Sequence, residues 1–193
     1  MYGPSANILG AVTGGVERAR WSSAGYDVKA GGSSSNARVG GCLTQFYTDA
    51  GNTTTSETDI YSYSVPASTL DTNGHKIRAE YAGTCVNSTS TKQIKVKFDG
   101  TTILDTGALA VSASAHWSIT VLGVRVSATV IRFTVTFIGT GLALTQQTTY
   151  TSVTVANFTS ARILKLTGTA AGAGAATNDI VARNGIVEFI PNI

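Results

Sequence analysis

The feature that most constrains the fold of this chain is a repeated two-residue alternation of apolar and polar side chains. In residues 131–137, isoleucine, phenylalanine and valine alternate with arginine and threonine, and residues 76–81 alternate equally strictly. Successive side chains of a β-strand point to opposite faces of a sheet, whereas a helix requires a period of 3.6 residues. The alternation therefore predicts half-buried β-strands.

Turn signals divide the chain into many such strands. Asp99-Gly100 is a hairpin dipeptide between two alternating runs, and Asn184-Gly185 predicts a second hairpin that would break the last run. After residue 39 we predict about eight or nine short strands, a number typical of a two-sheet sandwich. Charged residues make up only 13% of the chain, which argues against long exposed helices. The predicted fold class is all-β, an antiparallel β-sandwich.

The first 41 residues differ from the rest because they are rich in glycine and serine and follow neither period. On composition this segment is an extended, flexible arm. Scattered aromatic and basic side chains suit such an arm to lie along another protein and to contact it at a few anchor points. The predicted anchors are Tyr2, Arg18, Arg20, Trp21, Tyr26 and Lys29. We therefore predict an N-terminal arm over residues 1–41 and a β domain over residues 42–193.

Residues 61–70, with the sequence YSYSVPASTL, and the following Asn73-Gly74 resemble the opening of jelly-roll domains in tailed-phage fibre, spike and head-decoration proteins. Glycine-containing segments at 39–41 and 51–52 precede this stretch, and the resemblance continues to residues 176–181. It implies a jelly-roll form of the sandwich, a trimer, and a place in a virion that is assembled in the host cytoplasm. No catalytic residue comes with the resemblance.

Several apolar residues fall where alternation would place polar ones, or in a glycine-containing connection. They are Leu122, Val130, Ile138, Leu142 and Leu144. A sheet that is apolar on both faces is covered either by loops or by another subunit. We predict a homo-oligomer with these residues at its interface, and the resemblance implies that its order is three.

The charge pattern argues against nucleic acid and membrane as partners. The net charge is +3, and the densest basic stretch places Lys95 and Lys97 on the solvated face of a strand. We find neither an apolar run long enough to span a membrane nor a secretory signal. In a cytoplasmic setting Cys42 and Cys85 are expected to be free thiols, with a bridge between them as the alternative.

The candidate catalytic residues are sparse. Of the two histidines, His75 is predicted to be an exposed turn residue, and His116 is predicted to lie at the surface where a strand begins. The acidic residues fall mostly in turns, where capping roles explain them. We therefore expect no enzymatic activity, no cofactor and no metal site.

Together with the resemblance to tailed-phage proteins, these observations predict a non-enzymatic structural protein of the virion, on the exterior of the head. The expected role is that of a trimeric capsid cement or decoration protein, or a short head fibre, whose arm binds the major capsid protein. The head is favoured because 193 residues contain none of the coiled coils or repeats that lengthen a tail fibre. The alternative is a fibre tip that binds a host receptor or a host-surface glycan. The candidates for stacking on a sugar are Trp21, Tyr47, Tyr61, Tyr63 and Tyr150.

Overall fold

The computed structural model contains a β-sandwich and, before it in the chain, a separate small sheet. It describes the backbone of residues 9–13, 16–22, 25–29, 36–38 and 40–192, and the side chains of residues 40–192 except 113 and 114. All regular elements within these ranges are strands. No helix of the described residues is long and apolar enough to cross a membrane.

The N-terminal segment contains four short strands: β1 (Leu9–Thr13), β2 (Val16–Ser22), β3 (Gly25–Lys29) and β4 (Asn36–Arg38). They pair in sequence order as an antiparallel sheet. The sequence pattern predicted no strand in this segment. A ladder of backbone hydrogen bonds does not require alternating side chains, so periodicity could not reveal it. The role of the segment in attachment stays a prediction.

The remaining strands form the sandwich. They are β5 (Gly41–Phe46), β6 (Ala50–Gly51), β7 (Thr58–Val65), β8 (Lys76–Cys85), β9 (Thr91–Phe98), β10 (Thr101–Asp105), β11 (Val111–Arg125), β12 (Val130–Leu142), β13 (Gln146–Thr154), β14 (Arg162–Ala171) and β15 (Ile180–Ile190). One sheet has four strands in the order β10-β9-β14-β7. The other has seven, in the order β13-β12-β11-β8-β15-β5, with β6 also paired to β15.

All the pairings are antiparallel, so the predicted all-β sandwich is confirmed. The common jelly roll has eight strands in two sheets. Here the described strands of the sandwich divide into four and seven, and the jelly-roll form stays a prediction.

The core lies between the two sheets and follows the alternation that predicted it. Ile131, Phe133, Val135 and Phe137 of β12 are each no more than 2% exposed. Across the interior, the rings of Phe98 and Phe133 lie 5.0 Å apart and join the two sheets. Burying one such side chain contributes about 1.5–3 kcal/mol, so this row alone makes a large contribution to stability.

Two predicted turn features are wrong. Asn184-Gly185 does not form a hairpin, because β15 continues through it with only a register shift between Ala182 and Asn184. His75 is not exposed: its side chain is buried, and its ring meets that of Phe189 edge-on at 5.0 Å. Its Nδ1 also lies 3.2 Å from Oδ1 of Asp71. At Asn184-Gly185 the pairing of β15 with distant strands overrides the local turn signal. The turn before His75 does form, with the His75 N–H donating to the carbonyl of Thr72 at 3.1 Å, but contact with Phe189 buries the side chain.

Candidate functional site

Two adjoining cavities flank residues 45–47, where β5 ends. One has a volume of about 300 Å³ and the other about 310 Å³. Gln45, Phe46 and Tyr47 line both cavities, so this short segment forms the ridge between them. We call the ridge and its two cavities the Tyr47 edge.

The ridge is supported from below by aromatic rings. The rings of Phe46 and Tyr61 stack with centroids 4.2 Å apart and planes inclined by 11°. Tyr61 lies 6.3 Å from the ring of Tyr81, which is buried in the core. The Tyr61 hydroxyl donates to the carbonyl of Thr48 at 2.8 Å. These contacts fix the backbone on both sides of Tyr47, whose own side chain is 88% exposed.

Tyr61 keeps its proton in this setting. Burial and then the nearby carboxylate of Asp49 raise the pKa of Tyr61. Burial likewise raises the pKa of Tyr81. Both phenols are therefore neutral at physiological pH, and the Tyr61 hydroxyl remains a hydrogen-bond donor.

Polar side chains surround the ridge, and their charges are balanced. Gln45, Glu80 and Asn184 line the first cavity, and Thr48 and Asp49 line the second. Glu80 is paired with Arg78, and Asp49 is paired with Arg183. The Tyr47 edge therefore offers amide and carboxylate groups without a strong net field.

A second distinct surface is a block of nine uncharged residues on the outer face of the seven-stranded sheet. Strand register aligns them in three rows across β11, β12 and β13. The rows are Ser118-Ile138-Gln146, Thr120-Thr136-Thr148 and Leu122-Thr134-Tyr150. We call this block the neutral patch. Tyr150 is 79% exposed, Ile138 52% and Leu122 36%, so three large side chains reach solvent here.

The outer face of the four-stranded sheet has the opposite character. Glu57 accepts hydrogen bonds from Lys97, from Lys95 at 3.0 Å and from Thr167 at 3.1 Å. Partial burial acts to raise the pKa of Glu57, but the hydrogen bonds from these three side chains outweigh it and hold the pKa at about 2. This face is covered by paired charges, as expected for a solvated surface.

A buried polar cluster lies between the two sheets. The Lys92 side chain is fully buried, and its Nζ donates to Oγ of Ser88 at 2.6 Å and to the carbonyl of Ser90 at 3.0 Å. Asp179 Oδ2 lies 3.4 Å from that Nζ and accepts from Ser90 Oγ at 2.7 Å. Burial raises the pKa of the neighbouring Cys85 thiol to about 12. The cluster connects β9 to the start of β15 through buried hydrogen bonds and an ion pair.

The predicted interface residues separate into two groups. Leu122 and Ile138 belong to the neutral patch, and Val130 is half-buried at the start of β12. Leu142 lies in the core at 6% exposure, and Leu144 packs against that core. The domain itself covers Leu142, whereas Leu144 is only half-buried, and the interface role of the five residues stays a prediction.

The predicted arm residues fall on the N-terminal sheet or outside the described part of the chain. Tyr2 lies outside it, as do the side chains of the other five residues. Arg18, Arg20 and Trp21 are positions of β2, and Tyr26 and Lys29 are positions of β3. The backbone register pairs Trp21 with Tyr26.

The tyrosines proposed for sugar stacking differ in their exposure to solvent. Tyr47 is exposed, whereas Tyr61 is buried against the ring of Phe46 and Tyr63 is half-buried. The side chain of Trp21 lies outside the described residues. Sequence reasoning did not single out Lys92. The sequence did indicate its burial. Lys92 occupies an alternate position of the strand in line with Ile94, Val96 and Phe98, so alternation places all four side chains on the inner face of the sheet.

Cys42 is an exposed free thiol and Cys85 a buried one, which agrees with the expectation of unpaired cysteines. Among the residues that the structure describes, no group of three or more histidine, cysteine or acidic side chains could hold a metal ion. No family model, curated protein or solved structure matches this chain.

Proposed function

We propose that this protein is a non-enzymatic structural component of a tailed-phage virion. It is a capsid cement or decoration protein, or a short head fibre, that acts as a homotrimer on the exterior of the head. Its partners are further copies of itself and the major capsid protein. The mechanism is mechanical: a protein that spans neighbouring capsid subunits adds buried surface and so resists pressure from within.

The observation that carries this proposal is the difference between the two outer faces of the sandwich. One face is covered by ion pairs around Glu57, whereas the neutral patch presents Leu122, Ile138 and Tyr150 among hydroxyl groups. The centre of a protein interface is depleted in charge and enriched in tyrosine, with a polar rim. The neutral patch has this composition. Arg78, Glu80 and Arg132 lie on neighbouring positions of the sheet as its rim.

The occupant proposed for the neutral patch is a second copy of this chain. Symmetric oligomers place copies of one surface close together, and an uncharged surface does so without repulsion between like charges. The order of three is the one that the sequence resemblance implies.

Attachment to the capsid is assigned to the N-terminal segment. Its strands form a sheet of their own and do not complete either sheet of the sandwich. Arg18, Arg20, Trp21, Tyr26 and Lys29 lie on this sheet, and tyrosine, tryptophan and arginine are the residues that most often dominate binding energy at interfaces. The sandwich then projects from the capsid.

Binding to purified, expanded capsids of the encoding phage tests the proposal. The full-length protein should co-sediment with capsids, whereas a full-length Arg18→Ala, Arg20→Ala, Trp21→Ala variant should bind at least tenfold more weakly. A chain without residues 1–38 should lose binding while its circular dichroism remains that of a β protein. Undiminished binding by the truncated chain would contradict the assignment of attachment to the segment. Failure of the full-length protein to bind capsids would overturn the cement role itself.

A further inference from the structure

The Tyr47 edge has the properties of a ligand-binding surface, and the proposed virion function does not use it. Tyr47 projects at 88% exposure from a backbone held by the stacked rings of Phe46 and Tyr61. Tyrosine is enriched at binding surfaces because its ring is apolar and its hydroxyl group is polar. The rigid base beneath it means that little conformational entropy is lost when a ligand covers it.

The chemistry of the surroundings limits the class of ligand. An aromatic face binds C–H groups because its π-electron surface is negative and C–H groups are slightly positive. Gln45 and Asn184 supply amides that can both donate and accept, and Glu80 supplies an acceptor. A ligand that matches this set has an apolar face of C–H groups and a rim of hydroxyl groups. That combination is the chemistry of a sugar ring.

The balance of charge and the open shape of the cavities argue against two other classes of ligand. Arg183 is engaged by Asp49, and Arg78 by Glu80, so the edge lacks the surplus of positive charge that a phosphate or sulfate group requires. An apolar small molecule needs a cavity that encloses most of its surface. Here both cavities are open, and polar side chains line them. A neutral saccharide satisfies both limits.

The arrangement of the two cavities indicates more than one sugar unit. They have similar volumes, about 300 and 310 Å³, and they share Gln45, Phe46 and Tyr47. A chain that crosses the ridge places one unit in each cavity and a ring face against Tyr47. Ion-paired Asp49 then lies beside one unit, and Asn184 beside the other.

We propose that the Tyr47 edge binds a neutral oligosaccharide, with Tyr47 as the stacking platform and Gln45, Asn184 and Asp49 as hydrogen-bonding groups. This site does not depend on the virion assignment. It would persist if the protein failed to bind capsids, and the capsid role would persist if no sugar bound. The two proposals therefore fail in separate experiments.

An array of neutral and charged oligosaccharides, probed with the full-length protein, tests the inference. Each glycan that binds is then titrated by calorimetry to measure its affinity. We expect saturable binding of at least one neutral oligosaccharide with a Kd below about 1 mM. Tyr47→Ala and Asn184→Ala should each weaken that binding, the first by at least tenfold. Both side chains are exposed, so the melting temperature should stay unchanged.

Ile163→Ala is the matched control, since Ile163 is a 43% exposed apolar side chain on the other sheet. It should bind the sugar as the wild type does. The inference is overturned if no oligosaccharide binds, if only charged ones bind, or if Tyr47→Ala and Ile163→Ala bind with equal affinity.

Discussion

At the scale of single residues, the structure depends on a few charged side chains that are taken out of water and paired. Lys92 and Asp179 are buried together, and Ser88 and Ser90 satisfy the remaining hydrogen bonds of the cluster. Glu57 is only partly buried but is shared by two lysines. Removing the charge of one partner of such a buried pair destabilises the folded protein far more than removing both charges.

Lys92→Met should lower the free energy of unfolding by about 3 kcal/mol, because it leaves Asp179 buried without its cation. Adding Asp179→Asn should recover about 1–2 kcal/mol of that loss, since the second change removes the unpaired charge. Urea denaturation of the two variants measures both effects. A double variant no more stable than Lys92→Met would show that the charge of Asp179 is not the cause.

Glu57 gives the protein a defined sensitivity to acid. Its pKa is lowered from an ordinary 4.5 to about 2 in the folded state, so its stabilising effect is present above pH 4.5. That effect is lost as the pH falls from 4.5 towards 2. Glu57→Gln should be about 1 kcal/mol less stable at pH 7 and should lose less stability over that pH range.

Denaturation curves at pH 7, 4.5 and 3 measure this difference. Asp59→Asn is the matched control, because the Asp59–Lys165 pair lies on the same face but is more exposed. It should change stability by less than about 0.5 kcal/mol. Equal pH profiles for wild type and Glu57→Gln would contradict the role of Glu57.

At the scale of elements, local patterns predicted the strands well and their interruptions poorly. The run 131–137 was predicted from alternation alone, and the structure extends it to Val130–Leu142. The prediction of a hairpin at Asn184-Gly185 was wrong because Gly185 has a different role. A Cβ on residue 185 would lie 2.7 Å from Cδ1 of Tyr81 and 3.2 Å from Cδ2 of Phe46. Glycine is needed so that two aromatic rings can lie over the backbone of β15, and no local signal reports such a neighbour.

Gly185→Ala should therefore destabilise the protein by about 2 kcal/mol through overpacking. For a chain of this size that corresponds to a melting temperature lower by about 4–8 °C. Gly41→Ala is the control, since a Cβ there meets nothing within 4 Å. It should leave the melting temperature within about 2 °C of wild type. Equal shifts for the two variants would contradict the steric argument.

The Tyr47 edge was predictable only in part. Four tyrosines and Trp21 were singled out from the sequence, and among them the structure presents Tyr47 on a supported ridge. Its neighbours Asn184 and Glu80 come from β15 and β8 and are far from it in sequence. Sites assembled across strands depend on register, which periodicity alone does not give.

At the scale of the whole molecule, the sandwich has two unlike outer faces, and this difference has a direct test. Leu122→Glu with Ile138→Glu places two like charges in the neutral patch and should convert the proposed oligomer to monomer, because the charges would be desolvated without partners. Light scattering coupled to size-exclusion chromatography measures the mass of the particle. Ile163→Glu on the opposite sheet is the control and should leave the oligomer intact. A wild-type protein that is monomeric at micromolar concentration would contradict the proposed interface.

The position of β15 determines when this protein can fold during its synthesis. β15 follows the other described strands in the chain but lies inside the seven-stranded sheet, paired with β8 on one side and with β5 and β6 on the other. Until residues 180–190 have emerged, β8 and β5 have no neighbour between them and expose unpaired backbone groups. Folding of the sandwich is therefore completed only after β15 has been synthesised. A chain that ends before residue 180 lacks β15 and is expected to aggregate rather than to assemble.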